Sequence, residues 1–526
     1  MSYQFQVLAV VRENFSLVLL SLPLILLFWY LWTAFRSPLR QYPGPLLAKW
    51  TNLWRLYHVS TGNSHQVFHD LHKKYGPIVR LGPNLLDLDY PELIKTIYNI
   101  QGNWKKTEMY HGSSAKAEGK IIYNLFSETN QHEHSRQKRP IAKLYSATGV
   151  LALETHMDQM IQKLCEVLAT QSSDKTGEGK VLDLGEWLLY FAWDLVGEIT
   201  FSQPIGYLDK GHDFDGTLAN ADQTMDYFAM VAQMPFLDYI FDKNPVCKFF
   251  GPPGFATITQ ISIRHLLDRY AGKDGSYHDA SQPDYLDHFI EAKKLHPDIV
   301  DDAQIISYLM INMIAGADTT AITMRAVFYY ALKDPAIWTR LEDEVLGSPQ
   351  QHHHHHHDAT PLSLKDARRL PYLDAVIREA MRIHPGVGMS LERYVPPEGL
   401  RLPNGQYVPA GSVVGINPWV VHRNPAVFGA DPDMFKPERW LRDDARGETE
   451  DAYQSRLRRM NQADLTFGAG SRVCIGKHIS TMEVLKVIPS LISQFRFELD
   501  DPKKEWNVVN SFFVRQTGLK VRIQRR

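Results

Sequence analysis

Ten residues near the C-terminus carry the most specific chemistry in the chain: Phe467-Gly468-Ala469-Gly470-Ser471-Arg472-Val473-Cys474-Ile475-Gly476. The run is a glycine-rich loop that presents one cysteine just before a helical pattern extending from Ile475 to Gln494. Glycines let a backbone approach a flat cofactor closely. Amides at the start of the following helix lower the pKa of the thiol and tune a metal-bound sulfur. A tetrahedral zinc site needs partner ligands that this segment does not bring. A lone thiolate instead suits an axial heme ligand, where it pushes electron density toward O–O cleavage.

Three further segments hold reactive types at helical spacing. Asp301 to Lys333 reads as one long helix ended by Asp334-Pro335. Apolar residues cover nearly all its faces from Ile305 to Ile314, as in a helix through the protein centre. In its middle stand Ala315-Gly316-Ala317-Asp318-Thr319-Thr320, a glycine, an acid and two hydroxyls that are unfavourable in a buried helix unless used. Glu379-Ala380-Met381-Arg382 puts an acid and a base on one helix face. His132-Glu133-His134-Ser135-Arg136-Gln137-Lys138-Arg139 offers two base pairs at four-residue spacing, His132 with Arg136 or His134 with Lys138.

The elements that must position these groups are mostly helical. Strand-like runs occur at Ile78–Leu81, Leu85–Leu88, Gly399–Val414 with an Asn404-Gly405 turn, and Phe497–Ile523. Gly149 to Leu346 is helical in pattern, and no internal repeat is visible. The expected architecture is one large, mainly α body with a smaller β-rich region.

With these residues in view, the chain resembles the cytochrome P450 superfamily. The cysteine segment matches the family signature F-x-x-G-x-R-x-C-x-G at Phe467, Gly470, Arg472, Cys474 and Gly476. The resemblance implies heme b as cofactor, Cys474 as its metal ligand, Phe467 near the thiolate side and Arg472 on a propionate. Glu379-x-x-Arg382, with Arg439 in Pro437-Glu438-Arg439-Trp440, resembles the family's structural ion-pair network, and Arg393 matches a position that often reaches a propionate. Ala315 to Thr320 is similar to the oxygen-binding groove A-G-x-[DE]-T-T. There Gly316 is expected to make room for dioxygen, and Asp318 with Thr320, beside Thr319, to relay protons. Spacing to Tyr145-Ser146 favours His134 with Lys138 as the second propionate contact over His132 with Arg136.

The implied reaction is monooxygenation, one oxygen atom of O2 entering a C–H bond. Electrons are expected from NADPH through an NADPH-cytochrome reductase, with cytochrome b5 as a further donor, since the chain shows no flavin or dinucleotide glycine motif. Tyr42-Pro43-Gly44-Pro45, Lys74 to Arg80 and Ile416-Asn417-Pro418-Trp419 resemble the fungal branch that includes pisatin demethylase. That implies a lipophilic substrate from secondary metabolism. Expected pocket segments are Met109–Phe126, Met225–Phe241, Met310–Ala315, Val387–Met389 and Ser511–Phe513. Two other readings compete: a heme-thiolate isomerase or dehydratase that consumes no O2, which would not need the acid–alcohol pair, and a heme-binding sensor, which would need neither relay nor anchor.

Composition sets outer bounds. The 526 residues are 44% apolar and 22% charged with a net charge of −2, so no basic field draws the chain to nucleic acid. Three cysteines, Cys165, Cys247 and Cys474, build no disulfide framework, and the first two read as core residues. Phe15 to Phe35 is an uncharged apolar run of about 20 residues, the length of a bilayer span. Arg36, Arg40 and Lys49 follow it and place the remainder in the cytosol. The expected organisation is a single-pass endoplasmic reticulum membrane anchor over residues 1–36 and one catalytic domain over 37–526. His352 to His357 is read as a solvated loop outside the mechanism.

Overall fold

The computed structural model describes residues 21, 23–25, 27–32, 35–117, 120–172, 179–244, 246–247, 254–348 and 361–526. The histidine run and most of the expected anchor lie outside them. The described part of the anchor run is helical between Pro23 and Trp32. Among the described residues, only Asp302–Lys333 is long and apolar enough to cross a membrane, and 61% of its most apolar window is buried in the protein.

In chain order, the elements that matter for the site are α1 (Leu53–Ser60), β1 (Ile78–Gly82), β2 (Leu85–Leu88), α2 (Gln131–Lys138), α3 (Glu154–Ser172), β3 (Lys180–Asp183), α4 (Leu184–Phe201) and α5 (Thr217–Val231). They continue with α6 (Asp302–Lys333), α7 (Pro371–Ile383), β4 (Arg393–Tyr394), β5 (Val413–Gly415), α8 (Lys477–Gln494), β6 (Phe495–Leu499), β7 (Asn507–Ser511), β8 (Phe513–Thr517) and β9 (Lys520–Arg525). A four-stranded sheet runs in the order β1-β2-β5-β4, with β2 and β5 parallel and the other neighbours antiparallel. A second sheet pairs β6, β9 and β3, and β7 with β8 forms a hairpin. The mainly α body with a smaller β region is thus the observed architecture.

The 32 residues of α6 form the axis, about 48 Å long at 1.5 Å per residue. Asp301 caps its first turn by accepting from the Gln304 N–H at 2.8 Å, and Asp334 ends it ahead of Pro335. The largest apolar cluster surrounds it, including Phe191, Trp193, Tyr308, Met313 and Phe328. Helix α4 lies along α6 so closely that a Cβ on Gly316 would stand 2.9 Å from Val196 Cγ2. The chain break after the anchor run docks on the four-stranded sheet. Arg80, fully buried in β1, donates its N–H to the Pro43 carbonyl at 2.7 Å, and its guanidinium meets Ser37, Lys49 and Pro83.

Candidate heme-thiolate site

The cysteine loop folds as its glycines require. Gly468 and Gly470 adopt φ +67° and +64°. A Cβ on Gly470 would lie 2.0 Å from the Tyr98 carbonyl oxygen, so only glycine passes there. The Cys474 N–H donates to the Phe467 carbonyl at 2.8 Å, closing the loop. The Gly476 α-carbon faces the sulfur, where a Cβ would sit 3.9 Å from Sγ. Cys474 keeps accessible surface although protein packs around it on nearly all sides, so that surface faces an internal cleft. Burial raises its thiol pKa, and the amides of Gly476 and Lys477 with the charges of Lys138 and Lys477 oppose the rise.

Glu379 of α7 accepts five hydrogen bonds from four residues. It receives Arg382 Nε and Nη2 at 2.8 Å, Arg439 Nε at 2.8 Å, Trp440 Nε1 at 2.9 Å and the Lys436 N–H at 2.8 Å. Burial alone would push this carboxyl up, but Arg382 and Arg439 prevail and hold it below its ordinary value. The three sequence-predicted members of the network are in contact, all at least nine-tenths buried. Lys486 in α8, wholly buried, pairs with Glu154 and Asp158 of α3 at 2.6 and 2.8 Å and pins the helix that follows the cysteine.

To one side lies a group of cations. Burial, then the Arg393 charge, lower the Arg472 pKa to about 10, the Glu128 carboxylate opposes the shift, and no carboxylate among the described residues lies within ion-pair distance of Lys106, Arg393 or Arg472. Burial, reinforced by Arg393 and Arg472, takes the Lys106 ammonium well below its usual range. Its Nζ stands 3.7 Å from the Tyr110 ring centroid, and Arg393 donates to the Tyr110 hydroxyl at 3.2 Å. Burial and the cations Arg472, Lys138 and Lys106 lower the His134 pKa to about 3, leaving it a neutral imidazole with Nδ1 unpartnered. The two registers on α2 therefore separate. His134 and Lys138 face the site, while Arg136 turns outward to Glu133 at 2.9 Å and the Asp298 carbonyl at 3.1 Å. Lys106 carried no sequence signal, since Trp104-Lys105-Lys106 reads as an ordinary solvated pair.

On α6, Ile311, Ala315 and Thr319 form a stripe with accessible surface, and Asn312, Ile314 and Gly316 beside it are partly accessible too. One expectation changes here. Thr320 is 1% exposed and hydrogen-bonds the Gly316 carbonyl and Ser480 Oγ, each at 3.1 Å, so it joins α6 to α8; the hydroxyl on the cleft stripe belongs to Thr319, which donates to the Ala315 carbonyl at 2.8 Å. A helical step of 100° per residue cannot aim both threonines into one cleft. Gly316, partly accessible, also admits the close approach of α4. Asp318 is buried, and its Oδ1 accepts from Trp193 Nε1 of α4 at 2.9 Å. Burial, then Asp222, push its carboxyl up to about 6, against the Trp193 hydrogen bond and the Arg325 and Arg515 charges.

An apolar cluster extends from Ile322 of α6. It contains Met109, Tyr110, Met225, Phe228, Met389, Phe512 and Phe513, with Phe126 and Val387 packed against it. Phe126, Phe228 and Phe512 meet edge to face at centroid distances of 5.4 to 6.0 Å. Phe512 holds φ +75°, a conformation costly for an L side chain, and its carbonyl accepts the Gly388 N–H at 3.0 Å. The expected pocket segments thus converge, except that Met310 lies in the main core against the Thr259 hydroxyl and Phe236 to Phe241 is largely exposed.

Elsewhere His278, Asp284 and Asp287 bring possible metal-ligand atoms together. Arg269 pairs with both carboxylates at 2.7 and 2.5 Å and neutralises that cluster from within.

A thiol at a helix N-terminus, a cation group with no carboxylate in ion-pair distance among the described residues and an accessible stripe on the central helix fit a flat, dianionic, metal-bearing group. The comparisons agree. The family model described as Cytochrome P450 matches residues 43–523. "Cytochrome P450 monooxygenase cfoH" of Aspergillus candidus is 45% identical over 501 residues, covering 95% of this chain and 91% of the relative. "Cytochrome P450 monooxygenase cicH" of Emericella nidulans is 35% identical over 491 residues, covering 93% and 95%. "Cytochrome P450 monooxygenase vrtE" of Penicillium aethiopicum is 34% identical over 511 residues, covering 95% and 93%. The chain belongs to the cytochrome P450 family, and it is a heme-thiolate monooxygenase with heme b as its cofactor.

Proposed function

We propose that Cys474 ligates the heme iron, that Arg393, Arg472 and Lys106 with neutral His134 hold the propionates, and that Asp318 and Thr319 handle protons on the opposite side. The observation that carries this reading is the group of buried Lys106 and Arg393 and partly buried Arg472, none in ion-pair distance of a carboxylate among the described residues, beside a cysteine at the start of α8. Buried charges without counter-ions are costly, and an anionic ligand would supply the missing partner. Bound there, heme supplies dioxygen activation, one oxygen atom going to the substrate and the other leaving as water. The chain's own residues do the rest. The Gly476 and Lys477 amides and Lys138 stabilise the sulfur as thiolate. Thr319 holds a proton at the cleft surface. Asp318, with its carboxyl near 6, exchanges protons close to neutral pH from behind the helix. The edge-to-face phenylalanines keep water out and orient a lipophilic molecule.

We place residues 1–36 as the anchor and 37–526 as the catalytic domain on the cytosolic side of the endoplasmic reticulum, fed from NADPH by a membrane-bound reductase with or without cytochrome b5. Exposed Leu46, Leu47, Leu53 and Tyr57, with Phe236, Tyr239, Ile240 and Phe241, support contact with lipid. The fungal monooxygenases among its relatives support a substrate from secondary metabolism. The test is co-expression with an NADPH-cytochrome reductase, incubation with isotope-labelled dioxygen, and metabolite profiling against a knockout strain. One labelled oxygen atom in an accumulating product is the expected result; an NADPH-independent, unlabelled product would reverse the reading in favour of an isomerase or dehydratase.

A further inference from the structure

A cavity of about 200 Å³ lies between α1, the β2 and β5 strand ends, residues 107–109 and the end of α5. Its apolar wall is Leu85, Met109, Ala232 and Val413, all members of the cluster that reaches Ile322, one turn beyond Thr319. Its other wall is polar and built. Arg55, 7% exposed, pairs with Glu392 at 2.6 Å, and Thr107 donates to the second oxygen of the same carboxylate at 2.9 Å. Arg55 also donates to the Gln233 carbonyl at 3.3 Å, while its buried Nε has no partner. Glu108, bonded to the Tyr394 hydroxyl, completes this wall.

A buried Arg–Glu pair adds little to stability compared with apolar residues of the same volume. Its place on one wall of a cavity, with hydrogen-bonding capacity unfilled, is better explained by a ligand. The charges that line the cavity already have partners: Arg55 with Glu392, and Glu108 with the Tyr394 hydroxyl. Either an anion or a cation would therefore give up hydration without a matching partner. We infer that this chamber is a subsite for the neutral oxygen-bearing end, a hydroxyl or carbonyl, of an otherwise lipophilic substrate whose apolar body lies along the Met109 wall toward Thr319. The inference rests on the reading of the α6 cleft as the reaction site.

The test uses the holoenzyme and alkylimidazoles from hexyl to dodecyl, whose imidazole nitrogen ligates heme iron, with methyl, ω-hydroxy and ω-carboxy tails. Dissociation constants are read from the Soret shift. At the chain length that reaches the chamber, the hydroxy tail is expected to bind roughly tenfold tighter than the methyl tail and tighter than the carboxylate. The paired substitution Arg55→Met with Glu392→Leu keeps an apolar fill and should cut the hydroxyl advantage below about twofold while preserving methyl-tail affinity. Thr107→Val, an isosteric change, should lose part of it if the pair variant does not fold. Equal affinity of methyl and hydroxy tails at every length overturns the subsite, as does a hydroxyl preference that survives these substitutions. Absence of any Soret shift instead overturns the heme reading, and this inference with it.

Discussion

The cysteine side of the cleft and the threonine side are held together by different forces. Around Cys474, charged groups are closed into specific pairs: Glu379 with Arg382 and Arg439, and Lys486 with Glu154 and Asp158, all nearly or wholly buried at the basic partner. Around Thr319, the one acid, Asp318, has a single neutral donor in Trp193, and the remaining contacts are aromatic edges and one backbone in a costly conformation. The first arrangement fixes one geometry because breaking any pair strands a buried charge. The second leaves a proton free to move and a wall whose shape follows packing.

The largest break of that contrast comes from the sulfur. Cys474→Ala should abolish the Soret band of the reduced, CO-bound protein; an unchanged band would remove Cys474 as the ligand. Next, Glu379→Ala leaves two buried guanidiniums unpaired and should destabilise the fold by about 3–5 kcal/mol, read as thermal unfolding and heme retention. A loss below about 1 kcal/mol would show that the cysteine side does not depend on its ion pairs.

The threonines sharpen the other side. Thr319→Ala should uncouple NADPH use from product on the order of tenfold, with peroxide released. Thr320→Ala should leave coupling nearly intact and cost about 1 kcal/mol through its lost contact with Ser480. The reverse pattern would return the proton role to Thr320.

The two acids should give stability slopes of opposite sign with pH. The Glu379 carboxyl is depressed, so its contribution is present above its ordinary value near 4.5 and lost as pH falls. The Asp318 carboxyl is raised from 3.8 to about 6, so stability present below about pH 4 is lost as pH rises past 6, by about 3 kcal/mol. Asp318→Asn should flatten the second slope without touching the first; an unaltered pH profile of unfolding in that variant would deny Asp318 its buried, raised state.

The same contrast explains what could be read in advance. The cysteine loop was legible because glycine, cysteine and arginine do their work within ten consecutive residues, where local backbone geometry decides the outcome. Glu379 and Arg382 were legible as a pair for the same reason, one helical turn apart. Lys106 was not, because its neighbours Arg393 and Arg472 are brought to it only by β4 and the cysteine loop. Trp193 and Ser480 were equally silent, since an indole or a serine in an apolar helix looks like core until its partner is known.

By itself, then, the amino-acid sequence determined the ligand loop, the long central helix from its Asp301 cap to Asp334, and the acid and hydroxyls in that helix. Which hydroxyl meets the cleft and which face Gly316 relieves were decided only by the rotation of α6 against α4 and α8. That rotation is set by packing between segments more than a hundred residues apart, Trp193 with Asp318 and Thr320 with Ser480 among them, and a one-dimensional pattern does not contain the phase of one helix relative to another.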